Sequence, residues 1–124
     1  RFPFLDLFTS VMDLDLAFVL DNTARVFRRR ELVSGRLAWH GRPVEPRALE
    51  RTALVTLEGG RDRVAAPGQT AAVHALCPGL PEARRRRLLF EAYGHFSLFH
   101  GRSCREGTAP ALARALAETA ARRH

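Results

Sequence analysis

Apolar positions along the first third of the chain follow a helical period. Ala17, Leu20, Ala24 and Phe27 recur three and four residues apart, with Phe18 and Val19 alongside, which predicts a helix with a broad apolar face over residues 15–29. Asp15 is placed to cap its start. Arg28, Arg29 and Arg30 fall at its end, where cations complement the helix dipole. Before it, residues 1–10, with Phe2, Phe4 and Phe8, read as the tail of an earlier helix. After the break at Ser34-Gly35, residues 37–44 predict a short hairpin turning at His40-Gly41, with Pro43 confining the second arm to an edge. Pro46 opens a helical turn reaching Glu50.

From residue 52 the pattern changes. Residues 53–57 are almost continuously apolar or β-branched, the mark of a strand covered on both faces, as in a parallel sheet. Glu58-Gly59-Gly60 leaves that strand through a flexible turn, and Asp62 lies on the loop that follows. Pro67-Gly68 ends the loop, residues 69–76 predict a crossover helix, and residues 88–90 predict a second buried strand followed by Gly94-His95. Strand, helix and strand at this length make a βαβ unit, so the fold class is α/β. A last helix is predicted over residues 103–121, with Leu112, Leu116 and Ala120 on its apolar face and Ala109 and Ala113 widening it. Pro110 sets the start of its regular part.

The chemistry-bearing residues follow from that layout. In open α/β sheets, reactive groups gather beyond the carboxyl ends of the strands. Asp62 and His95 each follow such an end within a few residues. That is the arrangement of the last two members of a nucleophile–acid–histidine triad in an α/β-hydrolase, whose chain order is nucleophile, acid, histidine. No nucleophile elbow precedes Asp62. Glu58, at the strand end itself, is the second choice for the acid. His100 lies close enough to His95 in sequence to meet a substrate, but reads first as a solvent-facing residue. His74 reads as a packing or surface residue of the crossover helix, and His40 as a turn residue.

Composition narrows the partners. The 124 residues suffice for one domain with a core, and 46% apolar residues is ordinary for a globular chain. No apolar run approaches the ~20 residues of a membrane helix. Asp6, Asp13 and Asp15 interrupt the apolar start, which lacks the basic lead of a signal peptide. The chain opens on Arg1 and not on Met, so it is expected to be the C-terminal portion of a longer domain that carries the nucleophile. A net charge of +7 raises nucleic acid as a partner. Every basic residue is Arg, however, which points to a composition-wide bias, and no aromatics interleave with the run Arg84-Arg85-Arg86-Arg87. Nucleic acid is therefore not expected, and that run reads as a solvated strand entry. Cys77 and Cys104 are too few for a disulfide framework and fit no zinc spacing, so small buried roles are expected for both, with no metal and no cofactor.

Ordered matches extend through most of the chain. They include Val11-Met12-Asp13-Leu14, Gly41-Arg42-Pro43-Val44-Glu45-Pro46, Thr52-Ala53-Leu54-Val55-Thr56-Leu57-Glu58-Gly59, Gly68-Gln69-Thr70, Ala75-Leu76-Cys77, Gly94-His95-Phe96 and Phe99-His100-Gly101. In these the chain resembles the C-terminal part of the intracellular polyhydroxyalkanoate (poly-3-hydroxybutyrate) depolymerases. The resemblance implies an α/β-hydrolase that cleaves the esters of a storage polyester on cytoplasmic granules, with Asp62 as triad acid and His95 as triad histidine. The family's nucleophile, a Cys or Ser on an elbow, has no counterpart here, so the chain alone is expected to be inactive. Two departures stand out: Arg63-Val64-Ala65-Ala66 follows the acid, and Phe96 follows the histidine. They leave room for a hydrolase of another carboxylic ester, or for a granule-binding protein that kept the fold without the chemistry.

Overall fold

The structure is a computed structural model and describes residues 12–121. The helix expected over residues 1–10 lies outside them. The chain divides into two compact units, Arg1–Val44 and Glu45–His124.

In the first unit, helix α1 (Leu16–Asn22) begins as expected: the Asp15 carboxylate accepts the Phe18 N–H at 3.1 Å. It then widens into a π-helical stretch, Thr23–Arg28, in which the Arg29 N–H reaches back to the Ala24 carbonyl at 2.8 Å. The predicted helix is thus two geometries end to end, a change that apolar spacing does not report. Strands β1 (Ala38–Trp39) and β2 (Arg42–Pro43) form the antiparallel hairpin. His40 and Gly41 both take positive φ, 47° and 73°, the signature of the tight turn that matches strand twist.

In the second unit a 3₁₀ turn, Pro46–Ala48, precedes strand β3 (Leu54–Gly59). Strand β4 (Arg85–Phe90) pairs with it in parallel, Leu54 against Arg85 through Gly59 against Phe90. Between them the crossover is mostly hydrogen-bonded turns, and only α2 (Val73–Leu76) is regular helix, shorter than the expected residues 69–76. The Glu58 carboxylate accepts the N–H groups of Gly68 at 3.0 Å and Ala71 at 2.8 Å, which ties the start of the segment to the end of β3.

The arginine run is a strand entry, as expected, but only Arg87 of the four is exposed. β4 starts at Arg85, and the half-buried Arg85 side chain reaches a ring of carbonyls around α2: His74 at 3.2 Å, Cys77 at 2.7 Å, Pro78 at 3.2 Å and Leu80 at 2.9 Å. A guanidinium carries enough N–H groups in a fixed fork to serve carbonyls a helix end leaves unpaired. Beside it, His74 is fully buried and its Nε2 lies 3.0 Å from Thr56 Oγ1 on β3.

Beyond β4 come a 3₁₀ turn, Phe96–Leu98, and a continuous C-terminal helix in three parts. These are α3 (Gly101–Ser103), a π stretch (Cys104–Thr108) and α4 (Ala109–Ala121). The π stretch lies just ahead of Pro110, whose ring crowds the carbonyl four residues back and which has no N–H to give. Among the described side chains the buried face of this helix is carried by Thr108, Ala115 and Thr119, while Leu112 is half-buried and Leu116 is 51% exposed; the side chain of Ala120 lies outside them. That corrects the expected Leu-led face. Thr119 is buried at no polar cost because its hydroxyl donates within its own helix, to the Ala115 and Leu116 carbonyls. Among the described residues Cys77, Leu80, Leu98 and Ala115 are the buried apolar ones. Cys77 is buried as expected, whereas Cys104 is only half-buried; both are free thiols.

Candidate functional site

The carboxyl ends of β3 and β4 carry the site. The parallel ladder does not stop at Gly59 and Phe90. The Gly60 N–H donates to the Phe90 carbonyl at 2.9 Å, and the Arg61 N–H donates to the Tyr93 carbonyl at 2.9 Å. The Asp62 N–H turns back to the Gly59 carbonyl at 3.1 Å. Asp62 is thereby delivered beside the loop that carries His95.

Asp62 Oδ2 lies 2.9 Å from His95 Nδ1. Its other oxygen, Oδ1, accepts the N–H groups of Val64 at 2.8 Å and Ala65 at 2.9 Å. The Asp62 side chain is 2% exposed and that of His95 34%. Burial alone would raise the Asp62 pKa. The Ala65 N–H, the His95 ring and the Val64 N–H together outweigh it and hold the carboxyl below its ordinary 3.8. An ionised Asp62 can only accept, so Nδ1 is the nitrogen that carries a proton toward it, and in the neutral imidazole the lone pair is on Nε2. Nε2 has no hydrogen-bond partner among the described residues. Two aromatic edges frame the ring: Phe96 at 5.4 Å and 85°, Phe99 at 5.9 Å and 69°. Phe99 is 70% exposed.

The other candidates are elsewhere. Both Glu58 oxygens serve backbone N–H groups, chiefly Ala71, which with those of Gly68 and Thr70 overcome burial and keep its pKa low; it does not reach His95. Glu58 is thus a capping residue and not the partner of the imidazole. His74 sits between sheet and crossover with Nδ1 buried and unbonded, and burial first, then Arg87 and Arg85, press it toward the neutral form. His100 is exposed and meets Phe96 at 6.4 Å. His40 occupies the hairpin turn, edge-on to Trp39. Among the described residues no three His, Cys, Asp or Glu side chains gather as a metal site requires, and no helix is long and apolar enough to cross a membrane.

Sequence spacing paired Asp62 with His95, and the two side chains are in contact. It missed the Val64 and Ala65 amides, because a backbone donor leaves no trace in residue type. It also read Gly59-Gly60 as a flexible exit, where the two glycines lie within the cross-loop ladder.

Fold and site together define a mixed α/β protein that presents a hydrogen-bonded carboxylate–imidazole pair at the ends of two parallel strands. A family model described as PHB de-polymerase C-terminus matches residues 1–120, and the chain belongs to that family. No curated protein and no solved structure matches it.

Proposed function

We propose that this chain supplies the acid and the histidine of a hydrolytic triad that cleaves the ester bonds of polyhydroxyalkanoate at storage granules in the cytoplasm, the nucleophile coming from another part of an α/β-hydrolase domain. The supporting observation is the 2.9 Å contact of His95 Nδ1 with a buried, ionised Asp62 at adjacent strand ends. Membership of a depolymerase family supplies the substrate class.

The chemistry follows from that contact. His95 Nε2 takes the proton of a Ser or Cys nucleophile as it attacks the ester carbonyl carbon. Asp62 stabilises the resulting imidazolium without itself becoming protonated. The imidazolium then gives the proton to the departing alkoxide, releasing the hydroxyl-ended part of the polymer and leaving an acyl-enzyme. Water repeats the sequence: Nε2 takes its proton, hydroxide adds to the acyl carbon, and the nucleophile leaves with the proton returned. Phe99, exposed and edge-on to the imidazole, offers an apolar wall to the aliphatic part of the substrate.

The test uses the full-length protein on amorphous poly-3-hydroxybutyrate granules, following release of soluble hydroxybutyrate. Release is expected from the wild type and not from His95→Ala, with no turnover by the 124-residue chain alone. Undiminished release by His95→Ala would remove the triad. A wild type that cleaves other short esters but not the polyester would remove the substrate assignment and leave the mechanism.

A further inference from the structure

We propose that Gly59 and Gly60 are positioning residues of the acid–histidine pair: their missing side chains allow the two site loops to be joined backbone to backbone, and that join sets the Asp62–His95 distance. The catalytic meaning of the inference rests on the hydrolytic reading; its geometric content does not. A Cβ built on Gly59 would stand 2.5 Å from the Tyr93 carbonyl oxygen. That oxygen is held in place as acceptor of the Arg61 N–H, one residue from the acid and two from the histidine. A Cβ on Gly60 would stand 2.6 Å from the Glu91 carbonyl oxygen and 2.7 Å from its Cα. These are about 1 Å inside optimal contact, and the obstructing atoms are backbone, so no rotamer change relieves them. Either methyl group would push the histidine loop off the acid loop and break the Arg61–Tyr93 bond first.

Tyr93 fixes the join from the other side. Its N–H donates to the Phe90 carbonyl, which also accepts the Gly60 N–H, so one oxygen serves both loops. Its ring stacks on Phe90 at 5.1 Å and 14°. A Cβ at Gly107, in the π stretch of the C-terminal helix, would collide with its hydroxyl. The histidine loop is therefore seated against β4 and the C-terminal helix, and the displacement caused by a methyl at residue 59 or 60 is directed toward the Asp62–His95 contact.

The decisive readout is the imidazole tautomer of His95, read by long-range nitrogen–proton NMR on the 124-residue chain and assigned with His95→Gln. The wild type is expected in the Nδ1–H form imposed by Asp62. Gly59→Ala and Gly60→Ala are expected to return His95 to the mixture of a free imidazole. Gly79→Ala is the control, because its Cβ would meet the Arg47 carbonyl oxygen at 2.8 Å, a comparable clash in a different loop. It is expected to lower stability and leave the tautomer unchanged. An unchanged His95 tautomer in both Gly59→Ala and Gly60→Ala, or an equal change in Gly79→Ala, overturns the proposal. Should the variants not fold, amide exchange of the wild type decides: the Gly60 and Arg61 amides are expected to be as protected as those inside β3, and loop-like exchange at both overturns it. In the full-length enzyme, Gly60→Ala is expected to lower kcat about 100-fold with KM little changed. A correct tautomer in a wild type that hydrolyses nothing would remove the proposed function and leave the positioning intact.

Discussion

Residues 12–44 and residues 45–121 acquire order by different means. In the first stretch no described side chain is buried, and Phe18, Phe27 and Trp39 are 60%, 72% and 72% exposed. Its polar contacts are mostly near neighbours in sequence: the Asp15 cap, the Asp21–Arg25 pair at 2.9 Å and the Arg29–Glu31 pair at 2.6 Å. In the second stretch the telling contacts are distant in sequence: Thr56 with His74, Glu58 with Ala71, Arg85 with the carbonyl ring, Asp62 with His95. Local contacts make elements, whereas contacts between residues far apart in sequence place two loops at a fixed distance. Chemistry at the Asp62–His95 pair should therefore respond to changes in the second stretch and ignore those in the first.

The sharpest way to break that comparison is at the acid. Asp62→Asn keeps the shape but offers His95 the wrong hydrogen-bond partner, and on the proposed mechanism turnover of a soluble hydroxybutyrate ester by a protein that also carries the nucleophile should fall by about 10⁴. Next is Arg85→Met, which leaves the carbonyls of His74, Cys77, Pro78 and Leu80 without their shared donor. Urea unfolding should show a loss of about 3 kcal/mol; a loss below about 1 kcal/mol would mean that water replaces the guanidinium without cost.

Acidification should weaken the second stretch in two stages. His74 is held below the ordinary 6.5 by burial, then by Arg87 and Arg85, against Glu82 and Glu58. The unfolded chain takes up a proton there that the folded chain resists, so stability declines as pH drops below 6.5. Glu58 and Asp62 are also lowered, so the stability they add is complete above their ordinary 4.5 and 3.8 and is lost as pH falls through the lower folded values. His74→Gln should flatten the first stage of a stability–pH curve and leave the second.

Smaller effects remain. Phe99→Ala should raise KM for hydroxyalkanoate esters several-fold while moving stability by no more than about 0.5 kcal/mol, and an unchanged KM would remove the apolar wall. Asp15→Ala should cost about 1 kcal/mol of local helix stability, visible in amide exchange of α1, and leave the NMR signature of His95 untouched.

These contrasts also explain what could be read from residue types. The hairpin was legible because His40-Gly41 encodes its own turn, and the meeting of Asp62 and His95 because each follows a run of strand-forming residues. The start of β4 was not legible. Arg85, Arg86 and Arg87 look like solvent-facing charge until the crossover supplies the carbonyls that Arg85 answers. The crossover helix is shorter than expected although Ala71 and Ala72 favour helix, because the amides of Val73, His74 and Ala75 bond the carbonyl three residues back and not four. The buried face of the C-terminal helix does not follow residue size: among the described side chains Ala115 and Thr119 are small enough to be buried, while the larger Leu116 is exposed.

The carbonyl ring around Arg85 has one further consequence, for folding fidelity. Arg84, Arg86 and Arg87 are chemically the same residue as Arg85. If β4 slipped by one position along β3, the ring would still receive a guanidinium, and that end of the sheet would register little error. At the opposite end the same slip would displace the histidine loop by about 3.3 Å, enough to part His95 from Asp62. The arginine run thus leaves that end of the sheet weakly registered, and discrimination against a slip falls to Leu88, Leu89 and Phe90, where a shifted strand would bring Arg87 or Glu91 to an apolar position, and to the glycine end of the strands.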